Sequence, residues 1–471
     1  MLSLTAANVQ SIVQAAAQAA DPLTMVIAVV DRAGRPLAVY RKPAAPAMFP
    51  GNFGAPVDVN DLAVALARTA AFFSNDRAPL SSRTVRFISG IHFPPGIFNA
   101  PNAALYGIEN TNRGCMLSAS YAAGKAVPPA QSLGGSTGLG ILTGKADLND
   151  SDPAAVNPGG VPLFENGVLV GGVGVAGVAP DVAEFAAFTA ATSNGFGPSP
   201  AAPGVVVIDG VSLPFVNQTT RPAGVSPGSF TGAFFQGPLA SPGPPPEGDL
   251  VSPAAGPLGG LTQAEVIQIL NNAEATANVT RAVIRLPIGL RTRMAIAVTD
   301  LDGRVIGLRR MADSTVFSID VAVSKARNMI YFNTAAGIAA DLAGVPMGTA
   351  LTNRTIGFGA QPCFPPGIDG SASGPFFALY QTDSAIACTQ GSQAANPNQS
   401  GIVFFPGSVP LYRNGVLIGG LGVSGDGVEQ DDYVTAGGAA GFDAPANIRA
   451  DQIMVRNVRL PYLKFPRNPT Q

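Results

Sequence analysis

The sequence predicts an α+β fold built twice in tandem: two homologous domains, each a central antiparallel sheet flanked by helices. Three observations predict it. Val161 to Gly177 returns as Val409 to Gly425, with 12 of 17 positions identical. Three further blocks recur in the same order: Val26 to Arg35 with Ala295 to Arg304, Asp61 to Arg68 with Asp320 to Arg327, and Leu80 to Ile97 with Leu351 to Ile368, the last pair both ending Phe-Pro-Pro-Gly-Ile. Within each copy, β-rich runs around glycine turns alternate with helical patterns. Self-similarity on this scale implies a tandem duplication, with domains over 1–197 and 258–471 joined by a linker over 198–257.

Each copy opens on a helix. Thr5 precedes an Ala-rich apolar run to Ala20, and Thr262-Gln-Ala-Glu265 is a capping box before Val266 to Ala277. A hairpin follows, from Val26 to Val30 and Leu37 to Arg41 in the first copy and from Ala295 to Thr299 and Val305 to Arg309 in the second. The next helix spans about Asp61 to Phe73 and Asp320 to Phe332, with Leu62, Leu66, Ala70 and Phe73 on one face. Its charged residues, Asp61 with Arg68 and Asp320 with Arg327, are expected to be solvated or locally paired.

Asn166-Gly167 and Asn414-Gly415 are type I′ hairpin signals, because both central positions need positive φ. They join Val161 to Phe164 with Val168 to Val175, and the equivalent strands of the second copy. Final helices run from Asp181 to Ala191 and from Glu429 to about Ala440. The stretch from about Pro198 to Pro257 has no counterpart and is dense in Pro and Gly, which makes it a linker of limited flexibility. Asp209-Gly210 within Val205 to Phe215 signals another hairpin, so part of the linker is expected to pack on a domain.

At 471 residues, the chain exceeds what one core usually organises. It is 46% hydrophobic and 12% charged, with 56 Gly and 42 Pro, which provides enough apolar material for two cores joined by many turns. Net charge is −2, and the 28 Lys and Arg form no block that would track a phosphate backbone, so nucleic acid is not an expected partner. The most apolar stretches, such as Val168 to Val178, are short and interrupted by Gly, so no membrane span is expected. Few Lys, abundant Asn, Gly and Pro, and an expected Cys pair favour an extracellular or periplasmic protein, with a cytoplasmic one left open because Met1 to Thr5 lacks a secretory start.

Ala295-Ile-Ala-Val-Thr-Asp-Leu-Asp-Gly-Arg304, Ser318-Ile-Asp-Val-Ala-Val-Ser-Lys-Ala-Arg327 and the Asn-Gly hairpin from Val409 through Gly425 to Asp431 resemble the strand, helix and Gly-rich signatures of the GlcG/HbpS-like family of haem-associated proteins. Members of that family also occur fused to some PduO-type cobalamin adenosyltransferases. The resemblance implies an α+β domain, a tendency to form higher oligomers, and haem or another tetrapyrrole as ligand. It supports a fold more than a reaction. Two departures stand out: the tandem fusion, and a long insertion between Phe-Pro-Pro-Gly-Ile and the last hairpin of each copy.

His92 is the only histidine, which removes multi-His zinc sites, bis-His haem within one chain and a His-based centre in each copy. Alignment of the copies places His92 opposite Cys363 and Cys115 opposite Cys388. We therefore expect a Cys363–Cys388 disulfide closing a loop of about 25 residues, worth about 3 kcal/mol in the chain-entropy treatment. Homology then puts His92 near Cys115. That pair reads in three ways: a haem or metal ligand set, a nucleophile pair, or a position where the disulfide was lost.

Gly172 to Gly177 and Gly420 to Gly425 satisfy G-x-G-x-x-G but lie on a hairpin's return strand, so close strand–helix packing is the first expectation. Gly174 and Gly177 could otherwise offer amides to a ligand's carboxylate, as haem propionates need. Arg83, matched by Arg354, would pair with an acidic ligand group or cap a turn. Asp147 to Asp152 has oxygen ligands at alternate positions but no EF-hand Gly or Glu, and reads as an acidic loop. Two functions follow: a haem or tetrapyrrole binder using His92 with Cys115, Arg83, Gly174 and Gly177 around it, or a self-assembling structural protein in which the two copies act as a pseudo-dimer. An enzyme ranks last, because no acid–base constellation is present.

Overall fold

The inner strand Val26–Asp31 is buried along its whole length, because helices cover both of its faces. Ile27 and Val29 pack with the opening helix Ala6–Ala19 and the closing helix Pro180–Ser193, while Val26, Ala28 and Val30 pack with the central helix Val59–Phe73. The period-2 alternation of a strand thus feeds two separate apolar clusters. This computed structural model describes residues 2–198 and 205–471; the start of the expected linker, 199–204, lies outside the described residues.

The first sheet is antiparallel and runs in the order outer strand Gly160–Glu165, return strand Val168–Ala176, inner strand, partner strand Pro36–Arg41 and edge strand Ala233–Gln236. A second sheet has the same order: outer Ser408–Arg413, return Val416–Ser424, inner Ala295–Thr299, partner Val305–Arg310 and edge Gly248–Val251. Its opening helix Gln263–Val279 and closing helix Val428–Gly438 cover one face, and its central helix Phe317–Phe332 is buried throughout. Both opening helices begin with a capping box, at Thr5 and at Thr262 with Glu265. At the hairpins, φ is 50° and 81° at Asn166 and Gly167 and 51° and 78° at Asn414 and Gly415, the left-handed pair that a type I′ turn requires. The fold class is the expected α+β. No helix among the described residues is long and apolar enough to cross a membrane.

The division into compact units departs from the sequence boundaries at 197 and 258. One unit comprises residues 1–90 and 130–245, the other 91–129 and 246–471. The insertion that follows Phe-Pro-Pro-Gly-Ile in the first copy is therefore divided, its first half, to Pro129, belonging to the second unit and the rest to the first. Nor is the stretch after Pro198 a simple tether. Val207–Ile208 and Val211–Ser212 form the hairpin signalled by Asp209-Gly210, and Ala233–Gln236 and Gly248–Val251 complete the edges of the two sheets. An unpaired edge leaves backbone N–H and C=O groups without partners, and even a Pro-rich segment can close it with a short strand. Tyr40 of the partner strand stacks on Phe230 with ring centroids 4.8 Å apart, which fixes that segment from the side-chain level as well.

The glycines of the return strand let each central helix come unusually near its sheet. A Cβ on Gly422 would sit 2.2 Å from the Ala322 carbonyl oxygen and 2.5 Å from the Ala326 nitrogen. Backbone cannot yield there as a side chain would. We expect Gly422→Val to lower stability by about 2–3 kcal/mol, measured by urea denaturation, and an unchanged midpoint would contradict the close-approach role.

Candidate functional site

His92 lies in the second unit, where the two Phe-Pro-Pro-Gly-Ile segments come together. Its Nε2 is 2.8 Å from Asp369 Oδ1, and its Nδ1 makes no hydrogen bond among the described residues. Asp369 is held by Asn99 as well: the Asn99 N–H donates to Asp369 Oδ2 and the Asp369 N–H to Asn99 Oδ1, both at 3.0 Å. The hydrogen bond with His92 holds the Asp369 carboxyl below the usual carboxylate range, with the Asn99 N–H adding to it. Phe98 meets the imidazole edge-on with centroids 6.2 Å apart. Phe98 is 79% exposed, so the imidazole has one apolar side chain open to solvent against it, and Ile97 and Ile368 of the two Phe-Pro-Pro-Gly-Ile segments are exposed as well. The cleft shared by His92, Cys363 and Asp369 encloses only about 10 Å³, room for about one water.

The disulfide joins Cys115 to Cys388, with Cα atoms 5.4 Å apart, and Cys363 is a free thiol. This corrects the expected Cys363–Cys388 bond, on which the expected placement of His92 near Cys115 rests. The physical reason is that 91–129 packs in the second unit, so positions that align between the copies meet each other. Cys115 bonds Cys388, Tyr106 stacks on Tyr380 with centroids 5.0 Å apart, and His92 shares a cleft with Cys363. Cys115 therefore has no thiolate to offer a metal or a nucleophile pair.

The remaining candidates are structural. Arg83 makes a two-pronged pair with Glu184, Nε–Oε1 at 2.6 Å and Nη2–Oε2 at 3.1 Å, and Glu184 also accepts the N–H groups of Asn217 and Gln218. Arg354 pairs with Asp432 by a single prong, Nε donating to Oδ2 at 2.5 Å, while its buried Nη2 has no partner among the described residues. Neither guanidinium is positioned for an acidic ligand. Gly174 lies against the central helix, where a Cβ would be 2.1 Å from the Ala63 carbonyl oxygen, and Gly177 adopts φ +79° against the Thr24 carbonyl. Packing accounts for both. In the acidic loop, Asp147 accepts the N–H groups of Asn149 and Ser151, and Asp150 pairs with Arg86. Among the described residues there is no group of three or more His, Cys, Asp or Glu able to hold a metal ion, so His92 stands as a lone donor.

The charged pair on the central helix carries more than expected. Arg68 and Arg327 are buried, not solvated, and each donates Nε to the hairpin-turn carbonyl of Gly34 or Gly303, at 2.9 and 3.0 Å. Their remaining nitrogens hold insertion loops: Arg68 donates to the Gln131 carbonyl, Arg327 to those of Met116 and Leu117. Asp61 and Asp320 complete the clasp by accepting the N–H groups of Leu133 and Asn112. Burial pulls both guanidinium groups down to about 10. The signal was present in the sequence, since a solvated pair has no reason to recur at identical spacing in both copies.

These features define an α+β domain with a helix-covered antiparallel sheet and a glycine-bearing return strand. Residues 270–440 match the family described as haem degrading protein HbpS-like. Three solved structures are similar. A PduOC:heme complex shares 20% identity over 39% of this chain and 94% of its own, with a TM-score of 0.25. Klebsiella pneumoniae protein ORFY shares 20% over 39% and 90%, with a TM-score of 0.25. A double mutant of Streptomyces reticuli HbpS shares 18% over 38% and 85%, with a TM-score of 0.22. No curated protein sequence matches.

Two predictions follow from the site. Alkylation without reduction should label Cys363 and leave Cys115 and Cys388 in one cross-linked peptide pair; labelling of Cys388 in folded protein would contradict the bond. The second concerns Asp383, wholly buried 3.3 Å from Arg113, whose carboxyl is pushed up to about 7 by burial despite the opposing charge. A carboxyl with a folded pKa above its unfolded value takes up a proton on folding, so stability present below pH 4 is lost as pH rises toward 7, at about 1 kcal/mol per pH unit. Asp383→Asn should flatten the dependence of urea midpoint on pH across that window, and an unchanged slope would exclude Asp383 as its source.

Proposed function

We propose that this protein binds haem, or a related tetrapyrrole, at an open face of its second unit, with His92 as the side chain that meets the iron. The observation that carries this reading is the single histidine with one ring nitrogen engaged by a carboxylate and the other free. Metal-ligating histidines are commonly oriented in this way, because the carboxylate fixes the ring and raises the basicity of the free nitrogen. Phe98 supplies exposed apolar surface beside it, suited to a flat hydrophobic ligand, and Ile97 and Ile368 of the same two segments are exposed as well. The cleft at His92 is far too small to enclose a macrocycle, so the ligand would lie on the face. Binding, not turnover, is the proposed activity.

The match of residues 270–440 to a family described as haem degrading agrees with this reading. The matching strand orders support a tandem duplication. The Cys115–Cys388 bond supports an oxidising compartment, extracellular or periplasmic.

A second reading rests on the same exposed apolar side chains: a second copy of the chain covers them, making the protein a self-assembling scaffold. One experiment separates the two. Haem titrated into purified protein should give a Soret band that saturates, and His92→Ala should abolish it or weaken affinity at least about tenfold, with Asp369→Asn weakening it by about 10–100-fold. No spectral change at micromolar haem, or identical spectra for His92→Ala, would overturn the binding reading. Light scattering of the apoprotein tests the other: a monomer whose mass is unaffected by Phe98→Ser removes the scaffold.

A further inference from the structure

The second unit contains a polar cavity of about 140 Å³ away from His92, between the first hairpin's turn, the central helix and the loop 390–398. We propose that it is a binding site for a small neutral polyhydroxy compound, of monosaccharide size or below. The central observation is Gln390, 4% exposed, whose Nε2 donors have no hydrogen-bond partner among the described residues. A buried amide left in this state costs about 1–3 kcal/mol, and a turn of the Gln390 side chain, which lines the cavity, toward a ligand hydroxyl would relieve it.

The lining also sets the class of ligand. Asp302 and Arg327 both face the cavity, so a carboxylate and a guanidinium offset each other and neither a cation nor an anion is favoured overall. Gln393 and Asn398 line it with Gln390, and such amides match hydroxyl groups that both donate and accept, Asn398 through its carbonyl because both its N–H groups go to Asp302. Arg327 has committed three of its five N–H groups to carbonyls, which leaves two. Asn398 is fixed in place by donating Nδ2 to the Asp302 carbonyl at 2.9 Å and to its carboxylate at 3.2 Å. By the volume one water needs in such a cavity, the space holds on the order of ten waters, comparable to the heavy-atom count of a small sugar.

The first unit provides an internal control. There the equivalent glycine, Gly34, has the Phe72 ring against it, with a Cβ at that position falling 2.4 Å from Phe72 Cε1. Tyr331 occupies the position of Phe72 in the second unit, but its hydroxyl donates to Asp341 and accepts the Gln393 N–H at 3.1 Å. A hydroxyl thus draws the ring to the cavity's rim and ties down the loop, where the phenylalanine closes the corner.

The test is calorimetric titration of the full chain with glucose, ribose and glycerol, and with acetate and glycolate as the anionic arm. One neutral polyol should bind saturably, Gln390→Leu should weaken it about tenfold, and Asp302→Ala, on the exposed turn, should weaken it severalfold while the protein remains folded. Saturable binding of the carboxylates alone would overturn the proposed class. No saturable binding of any of the five would mean that the cavity holds water only, and would overturn the site.

Discussion

The close contact between each central helix and its glycine-bearing return strand is the constraint on which the rest of the structure depends. Backbone meets backbone there, at Ala63 and Ala67 beside Gly174 and Gly172, and at Ala322 and Ala326 beside Gly422 and Gly420. Such an approach sets the helix's height over the sheet and hence where its later residues emerge. Arg68 and Arg327 emerge at the hairpin turn, where one guanidinium can bind the turn and an insertion loop together. Loops that lack regular structure gain a fixed origin in this way.

The two units solve the same packing problem with different chemistry. At the junction of central helix and closing helix, the first unit places Leu66 and Ala183, while the second places Lys325 and Asp431, buried and 2.9 Å apart. Desolvation pushes the lysine down and the aspartate up, and the pair survives because Lys325 Nζ also donates to the Val423 carbonyl at 2.8 Å. Replacing such a pair by apolar residues is often neutral or stabilising, so the second unit carries a polar interior that folding did not require. Together with Tyr331 in place of Phe72, it makes the second unit the more polar of two otherwise equivalent scaffolds.

Much of the scaffold was legible because its causes are local. The Asn-Gly turns need positive φ, the capping boxes need Thr and a polar partner three residues on, and the glycine stripe recurs wherever helix and strand must touch. The candidate site was legible only in part. His92 was identified by being the sole histidine, but its partner Asp369 lies 277 residues away in the sequence and belongs to no motif. Arg83 and Gly174 were recognised as repeated positions, yet repetition marks a shared scaffold as readily as a shared site, and here ion pairing and close packing explain them.

The sequence by itself determined the α+β class, the order of elements and their recurrence, since hydrophobic periodicity and turn chemistry act over a few residues. Only the tertiary structure decided which cysteines bond, where the first copy's insertion belongs and what surrounds His92. Aligning the copies treats Cys115 and Cys388 as alternatives for one position; folding makes them partners, because equivalent insertions meet within a single unit. Long-range pairing of this kind is a matter of where loops are anchored, and that anchoring passes through buried arginines whose carbonyl partners have no signature in side-chain sequence.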